Sequence, residues 1–484
     1  MINSRATVYL LAFPIGLMGV VQGGFALLSL IVFHDHQEVP FLEPSVAMMV
    51  TSVMLFASAR GTDNTKIGFR DALLFATSTW IICGILGGVP IILTTGVSFT
   101  DGVFESISAL TTTGATILTG LDDMPRSFLL YRQFLQWLGG LGVVIFVVAV
   151  LPMLNVGGMR LLKAETPGPI KDDKLSPRIA NTAHYLWLVY VTITLMCTVS
   201  YYAAGMTAYD ALAHSLSTVS TGGFSTHDAS MGFFDSSLIL AIANVFMVLG
   251  AISFAMHFRV GRASAPRLYW QDEETRSFLL IVLCMGLLIT LLLLATQQYE
   301  DVVTAFSDGV FMLISFITST GFGVPGFTDW PQEIALLLVI AGYLGGCAGS
   351  TAGGNKIIRN ILSAKLILIE MRRLIHPSGV FSLKYQGRTV EPSVLSATLA
   401  FMAITAISTL CIAIALMITG LDFWSAFTAV AACLNVLGPA FGELGNNFQP
   451  VSDAGTWMLS GAMILGRLEY FTVLALLLPG FWTR

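Results

Sequence analysis

The sequence predicts an all-α polytopic membrane protein built from four pseudo-repeats around a central pore, with two extra N-terminal helices. Three observations lead to this fold class. First, 55% of the 484 residues are hydrophobic and only 11% are charged, whereas soluble proteins carry about 25% charged residues. Second, long apolar segments recur along the whole chain. Third, a short motif that ends in glycine appears four times between those segments.

The first copy of this motif, DGVFESISALTTTGAT, covers residues 101–116. Its apolar opening predicts a helix of about three turns, which is too short for a bilayer that needs roughly 20 apolar residues. The helix is expected to stop at Thr111, Thr112, Thr113 and Gly114, because β-branched residues there precede a glycine that accepts left-handed dihedral angles. Such a half-helix is tolerated at membrane depth only where it is buried in protein or lines a cavity.

The motif is one part of an internal repeat. Its copies end at Gly114, Gly222, Gly321 and Gly438, at intervals of 108, 99 and 117 residues, and the first and third share the letters DGVF. Because long apolar segments flank each copy, the repeat unit is predicted to be a long helix, a half-helix, a loop and a second long helix. The resulting division is 1–66 for the N-terminal helices, 67–180 and 181–272 for the first two repeats, 273–388 for a third repeat with a broken second helix, and 389–484 for the fourth.

The long apolar segments give the predicted spans. The N-terminal helices are expected at 7–33 and 44–59. The first long helices of the repeats are expected at 70–95, 182–205, 276–296 and 393–420. The second ones are expected at 129–154, 236–258, 333–370 with an interruption, and 454–479. Together they make ten spans and four half-helices.

The charged residues predict the orientation of these spans. Most of the 24 Lys and Arg residues, including the basic loops 160–178, 259–276 and 372–388, fall on one side, whereas Arg126 and Arg132 fall on the other. By the positive-inside rule, both chain termini are cytoplasmic and the half-helices enter from outside. Acidic residues collect in the outer loops, where they would concentrate cations at an entrance. The alternative is that these are merely solvated loops, which would explain why the residues are polar but not why their charge is negative.

Four half-helices that enter from outside would direct their C-terminal ends to mid-membrane. Each end carries about half a negative charge, so converging ends favour a cation between them. The extended residues that follow can offer backbone carbonyls in place of the ion's water shell. Glycine is needed there because a Cβ resists the required dihedral angles. The pattern therefore indicates a cation site made by four loops.

The motifs TTTGAT, STVSTGGFSTHD, TSTGFGVPGF and LNVLGP resemble the superfamily of potassium transporters that includes TrkH, KtrB and the plant HKT proteins. The chain length and the two extra helices are most similar to the TrkH branch. The resemblance implies that the four loops form a selectivity filter, and that glycine at all four positions goes with potassium selectivity. The filter residues it implies are Thr111, Thr112, Thr113, Gly114, Val219, Ser220, Thr221, Gly222, Thr318, Ser319, Thr320, Gly321, Asn435, Val436, Leu437 and Gly438.

A glycine-rich segment follows the third motif. Five of the residues 345–354 are glycine, namely Gly345, Gly346, Gly349, Gly353 and Gly354. At about 1 kcal/mol each relative to alanine, they disfavour a continuous helix. The resemblance implies an intramembrane loop beneath the filter that blocks the pore and must move. The alternative is close helix packing through small residues.

Arg467 is expected in the middle of the last helix, too far from either end to reach water. A charge at that depth costs about 2.5–3.5 kcal/mol or more and normally faces a cavity or a partner. The resemblance implies a matching arginine beside the gating loop, where it would hold loop carbonyls or add a positive barrier. Glu469 is a possible partner, and a structural ion pair is the alternative. Lys356 and Arg359 are weaker candidates.

The function expected from these features is potassium uptake across the bacterial inner membrane, with K⁺ as the transported and filter-bound ion and no cofactor. The resemblance implies a homodimer regulated by a cytoplasmic, nucleotide-binding ring of the TrkA type. A proton- or sodium-coupled symporter would use Glu105 or Asp308. A membrane-embedded enzyme is disfavoured, because no nucleophile–base pair or metal-ligand pattern is visible. His214 and His227 are interpreted as local hydrogen-bonding residues, and neither a nucleotide site nor a nucleic-acid partner is expected.

Overall fold

The computed structural model describes residues 4–58, 68–149 and 175–483. Helix α1, Ser4–Leu28, continues as a π-helical turn, Ser29–Phe33, and is followed by α2, Glu38–Ser58. Helix α2 begins six residues before the predicted position 44, so Pro44 lies inside the helix and not in its first turn, where proline is usually found. The two helices pack through small residues, since the Ser45 hydroxyl donates to the Gly19 carbonyl at 2.7 Å. Together they form the N-terminal hairpin that the composition predicts.

Each repeat begins with a long helix and a helix of 12 to 16 residues. Every shorter helix has an N-cap side chain that accepts a hydrogen bond from a backbone N–H of the first turn, which fixes where the helix starts. The long helices are α3 Phe69–Thr95, α6 Leu175–Ala203, α11 Glu273–Ala295 and α15 Pro392–Ile418. The half-helices are α4 Phe99–Leu110, α7 Ala208–Val219, α12 Val302–Ile317 and α16 Phe423–Leu434.

The second helices of three repeats pack on the half-helices through a glycine. A Cβ added to Gly139, Gly250 or Gly466 would lie 1.7, 3.0 or 2.0 Å from the carbonyl oxygen of the last half-helix residue. Glycine thus allows backbone-to-backbone contact at the depth where the half-helices end. The helices in question are α5 Arg126–Ala149, α8 Ser237–Ala251 and α17 Asp453–Arg467.

Two second helices that were expected to be continuous are broken. Helix α8 is followed at a bend of 98° by α9, Phe254–Ala263, and α17 at a bend of 118° by α18, Phe471–Leu477. A short helix α10, Arg267–Gln271, comes between α9 and α11. At the first break, the Ala251 carbonyl accepts from the Cys347 N–H at 2.8 Å instead of continuing the helix. At the second break, Glu469 takes a left-handed conformation. Contacts from distant segments therefore override the apolar pattern.

The second helix of the third repeat is interrupted, as predicted. Helix α13, Gln332–Leu344, ends at the glycine-rich segment, and α14, Ile357–Ile375, begins after it. The segment between these two helices is therefore not helical. Beyond α14, a hairpin of two short strands, β1 Lys384–Tyr385 and β2 Arg388–Thr389, precedes α15. This hairpin was not expected from the apolar segments.

The described residues contain six helices long and apolar enough to cross a membrane, or eight if each bent pair counts as one span. The other two predicted spans are α5 and the interrupted pair α13 and α14. The predicted end of the span 129–154 and most of the basic loop 160–178 lie outside the described residues. The chain is a multi-pass helical membrane protein.

Candidate ion-conducting site

The loops after the four half-helices share one backbone conformation. In each loop, the second residue is not glycine yet has a positive φ, and the fourth residue is a glycine with a positive φ. The second residues are Thr112, Thr221, Ser319 and Val436, with φ of 58°, 53°, 53° and 56°. The fourth residues are Gly114, Gly223, Gly321 and Gly438, with φ of 82°, 78°, 83° and 97°. This repeated geometry defines four equivalent loops, which we call the filter loops after their predicted role.

The predicted register of the second loop is wrong by one residue. Val219 is the last residue of its half-helix, and Gly223, not Gly222, has the positive φ that matches Gly114. The Gly222 N–H donates to the Ser217 carbonyl at 2.8 Å, just as the Thr113 N–H donates to Ser108. The second filter loop is therefore 220–223. Two adjacent glycines made the sequence count ambiguous.

Residues other than glycine with a positive φ strain the backbone of these loops. Each residue held in a sparsely populated region costs of the order of 1–3 kcal/mol, and such residues cluster at functional sites. Thr112, Thr221 and Val436 are β-branched, which makes a positive φ a genuine outlier. Strain repeated in every loop indicates that the conformation itself is what the site requires.

The four loops form a closed ring. A Cβ added to Gly114 would lie 2.2 Å from the Gly222 carbonyl oxygen, and one on Gly223 would lie 1.9 Å from that of Thr320. A Cβ on Gly321 would lie 2.3 Å from the Leu437 oxygen, and one on Gly438 would lie 2.7 Å from that of Thr113. Each loop thus places a carbonyl where the preceding loop lacks a side chain. The four glycines also line one cavity of about 150 Å³.

The glycine-rich segment 345–356 lies against the ends of three half-helices. The Thr351 hydroxyl donates to the carbonyls of Val219 and Gly250 at 3.1 and 3.0 Å. The Gly353 N–H donates to the Ser319 hydroxyl at 2.5 Å, and a Cβ on Gly353 would lie 2.0 Å from the Asn435 oxygen. The segment therefore touches the filter loops directly.

The glycines of this segment allow its two ends to lie against each other. Gly345, Gly349 and Gly354 have φ of 72°, 76° and 75°, which side chains rarely adopt. A Cβ on Gly345 would lie 2.4 Å from the Gly353 oxygen, and one on Gly346 would lie 2.9 Å from that of Ala251. A compact non-helical turn results.

Arg467 is the last residue of α17, not the middle of a continuous helix. Its buried guanidinium donates to the Thr351 carbonyl at 2.9 Å and to the Gly139 carbonyl at 3.3 Å. The suggested partner Glu469 is wrong, because Glu469 pairs with Arg359 at 2.7 Å. Lys356 donates to the Ala352 carbonyl. Arg467 therefore links the glycine-rich segment to the first repeat.

This arrangement can be compared with known proteins. A family model described as TrkH, cation transport protein, matches residues 37–479. The chain belongs to the TrkH family. It is 41% identical over 482 residues to the Trk system potassium uptake protein TrkH of Vibrio parahaemolyticus, with 99% of each chain covered. It is 39% identical to the Escherichia coli K12 protein of that name, with 90% of each covered. The crystal structure of the Vibrio parahaemolyticus potassium transporter TrkH matches with a TM-score of 0.92, covering 99% of this chain and 100% of that one.

In this TrkH family member, Glu105 is not a free carboxylate. Arg132 lies in α5, within the predicted span 129–154, and both side chains are fully buried in a mutual ion pair. Glu105 also accepts from the Ile117 N–H at 3.1 Å, so it fixes the backbone just after the first filter loop. Asp308, the other candidate for coupled transport, is half-buried and accepts from the Tyr299 hydroxyl at 3.0 Å.

His227 ties the outer loops of the first two repeats together. Its ring contacts Asp122 at 2.5 Å and Asp210 at 3.5 Å. Burial opposes protonation, but the two carboxylates outweigh it and raise the pKa of His227. The hydrogen bond from His227 in turn lowers the pKa of Asp122. His214 bonds the Asp210 carbonyl and the Ser225 hydroxyl. Within the described residues, no group of three or more His, Cys, Asp or Glu side chains could hold a metal ion.

Proposed function

We propose that this chain takes up potassium across the bacterial inner membrane through a gated, channel-like pore. The observation that carries the proposal is the closed ring of four filter loops, each with a left-handed glycine. Relatives that match nearly the whole chain are named potassium uptake proteins. No enzymatic activity is part of the proposal.

The filter would coordinate dehydrated K⁺ with backbone carbonyls. The half-helices end directly at the ring, so their partial negative charges favour a cation there. Carbonyl rings replace an ion's hydration shell in other potassium pathways. Glycine at the fourth position of every loop supports potassium as the ion, and the fourth loop contributes no hydroxyl at Val436 or Leu437. The corrected filter residues are 111–114, 220–223, 318–321 and 435–438.

The segment 345–356 would act as the gate. Its contacts with Val219, Ser319 and Asn435 lie at the inner ends of three half-helices, where a solid obstacle would stop an ion that has passed the filter. Arg467 would hold the gate closed through the Thr351 carbonyl. Conduction then requires this segment to withdraw.

Regulation would come from outside the chain. We expect a cytoplasmic nucleotide-binding ring of the TrkA type to bind the basic inner loops, with both termini of the chain on that side. We further expect a homodimer in the lipid bilayer with one pore per chain, since a single chain supplies all four loops. Nucleotide effects would arise in the partner.

The test is rubidium-86 uptake into proteoliposomes that contain the purified protein and an outward potassium gradient. We expect uptake that follows this gradient, is inhibited by K⁺ more than by Na⁺, and ignores a protonophore. Dependence on a proton or sodium gradient would instead assign a symporter and direct attention to Asp308. If a variant with a shortened 345–354 segment also fails to conduct, even with the cytoplasmic partner added, the proposal is wrong.

A further inference from the structure

A buried glutamine of the first repeat holds the filter loop of the second. Gln136, on α5, is fully buried. Its Nε2 donates to the Gly222 carbonyl at 2.5 Å, while its Oε1 accepts from the Ser217 hydroxyl at 2.8 Å and from the Phe224 N–H at 3.1 Å. One carboxamide therefore binds the half-helix, the filter loop and the residue after that loop.

Gly222 occupies the third position of its loop, where the other loops have side chains. In the first loop, the Thr113 hydroxyl pairs with that of Thr111 at 2.7 Å, and in the third loop Thr320 pairs with Thr318 at 2.8 Å. The fourth loop has Leu437 at this position. Only the second loop lacks a side chain there.

The backbone does not require glycine at position 222, because Gly222 is not among the residues with a positive φ. The space is already filled instead. A Cβ on Gly222 would lie 2.5 Å from Cδ of Gln136 and 2.9 Å from its Cβ. Gln136 thus occupies the volume of the missing side chain, from a different repeat.

The second and fourth repeats have no equivalent amide. Gly139 and Gly250 both pack on the last carbonyl of a half-helix, so the residue that corresponds to Gln136 in the second repeat is Met247, and by the same count it is Met463 in the fourth. In the part of the chain that the structure describes, the Gly222 carbonyl accepts a hydrogen bond from a side chain. The carbonyls at the third position of the other three loops accept none there.

We propose that Gln136 is a positioning residue for the second filter loop and sets the preference of the ring for K⁺ over Na⁺. This inference rests on the proposed function. The Gly222 oxygen lies beside Gly114 in the ring, so its position defines one quarter of the ion site. Held by Gln136, it cannot relax toward a smaller ion. Without Gln136, the Gly222 oxygen could move toward a smaller ion. The site would then discriminate less well between K⁺ and Na⁺, whether by cavity size or by the field of the carbonyls.

The experiment tests whether a side chain at position 222 can replace Gln136 in supporting the second filter loop. We compare the wild type with Gln136→Ala, Gly222→Thr and the double variant, because the double variant places at position 222 the threonine that the first and third loops have there, next to the hydroxyl of Ser220. Gln136→Met keeps volume but no hydrogen bond. Gln133→Ala is the matched control, since Gln133 is also buried on α5 and donates to the Phe224 carbonyl at 3.3 Å, outside the filter.

Two readouts are measured on each purified variant: the melting temperature, and the ratio of K⁺ to Na⁺ concentrations that halve rubidium-86 uptake. We expect Gln136→Ala and Gln136→Met to lower selectivity about tenfold, as for the loss of one buried hydrogen bond. Gly222→Thr alone should lower the melting temperature, and the double variant should recover both readouts. Gln133→Ala should keep wild-type selectivity.

The inference is overturned if Gln136→Ala changes selectivity by less than about twofold, or if the double variant is no better than the worse single variant. Equal loss of selectivity in Gln133→Ala would also overturn it. Failure to transport by both the wild type and the variant with a shortened 345–354 segment, even with the cytoplasmic partner added, would refute the proposed function instead. The cycle of melting temperatures still decides whether Gln136 and Gly222 share one space.

Discussion

Substituting alanine for Gly321 separates the two demands that the ring makes on glycine. The first demand is conformational, since Gly321 has φ of 83°, and a side chain in that region costs about 1–2 kcal/mol. The second is spatial, because the new Cβ would lie 2.3 Å from the Leu437 oxygen and 2.8 Å from Cδ of Pro439. The oxygen must retreat by about 1 Å to reach ordinary van der Waals separation.

Gly326 provides the matched control. It has φ of 75° and lies in the same outer loop, but a Cβ on Gly326 would meet nothing within 4 Å. Gly326→Ala therefore carries the conformational cost alone. Gly321→Ala adds an overpacking cost of about 1–3 kcal/mol, and it displaces a carbonyl of the proposed ion site.

The assay is melting temperature together with rubidium-86 uptake in proteoliposomes. Gly321→Ala should lower uptake about tenfold or more, since each 1.4 kcal/mol changes an equilibrium tenfold, whereas Gly326→Ala should leave uptake near wild type with a small loss of stability. Equal uptake by the two variants would refute the proposed ring of carbonyls. It would mean that the contact between Gly321 and the Leu437 oxygen does not affect ion transport.

Three other outcomes follow from the site. Removing Arg132 by Arg132→Leu leaves the buried Glu105 unpaired, so stability should fall by about 3–5 kcal/mol in thermal denaturation; the double variant with Glu105→Gln should recover part of it, and an unchanged melting temperature would contradict the pair. Arg467→Ala removes charged hydrogen bonds worth about 1.5–3 kcal/mol each, so basal uptake without a partner should rise, and lower uptake would contradict its role at the gate. The pKa of His227 is raised in the folded protein. Its pairing with Asp122 therefore stabilises fully below the unfolded value of 6.5 and is lost as pH rises through the folded pKa. The melting temperature should fall over that window in the wild type and stay flat in His227→Gln.

Features set by short-range interactions could be predicted from the sequence. The half-helices were found because each is too short to span and stops at residues that a helix disfavours. Their starts at Ser98, Thr207, Asp301 and Asp422 are fixed by local capping. The interruption of the third repeat followed from glycine content alone. All of these depend on residues within one or two turns of each other.

Features set by distant contacts could not be predicted. The breaks after α8 and α17 depend on Cys347 and on the pairing of Glu469 with Arg359, which lie about 100 residues away in sequence. The register of the second loop depends on where its half-helix ends, and two adjacent glycines hid that point. Gln136 could have been found from the sequence, because Arg132, Gln133 and Gln136 lie close together in an otherwise apolar segment.

The closed ring also has a consequence for how the sequence can change. In a pore made from four identical subunits, every joint between neighbouring loops is the same, so any substitution appears in all four places at once. Here each joint has its own pair of residues, and a single quarter can be altered alone, as Gln136 and Gly222 illustrate. A compensating change must then occur in the next loop around the circle rather than in the equivalent position of another repeat. Across relatives, glycine in one loop and the third residue of its neighbour should therefore vary together, in one direction around the axis.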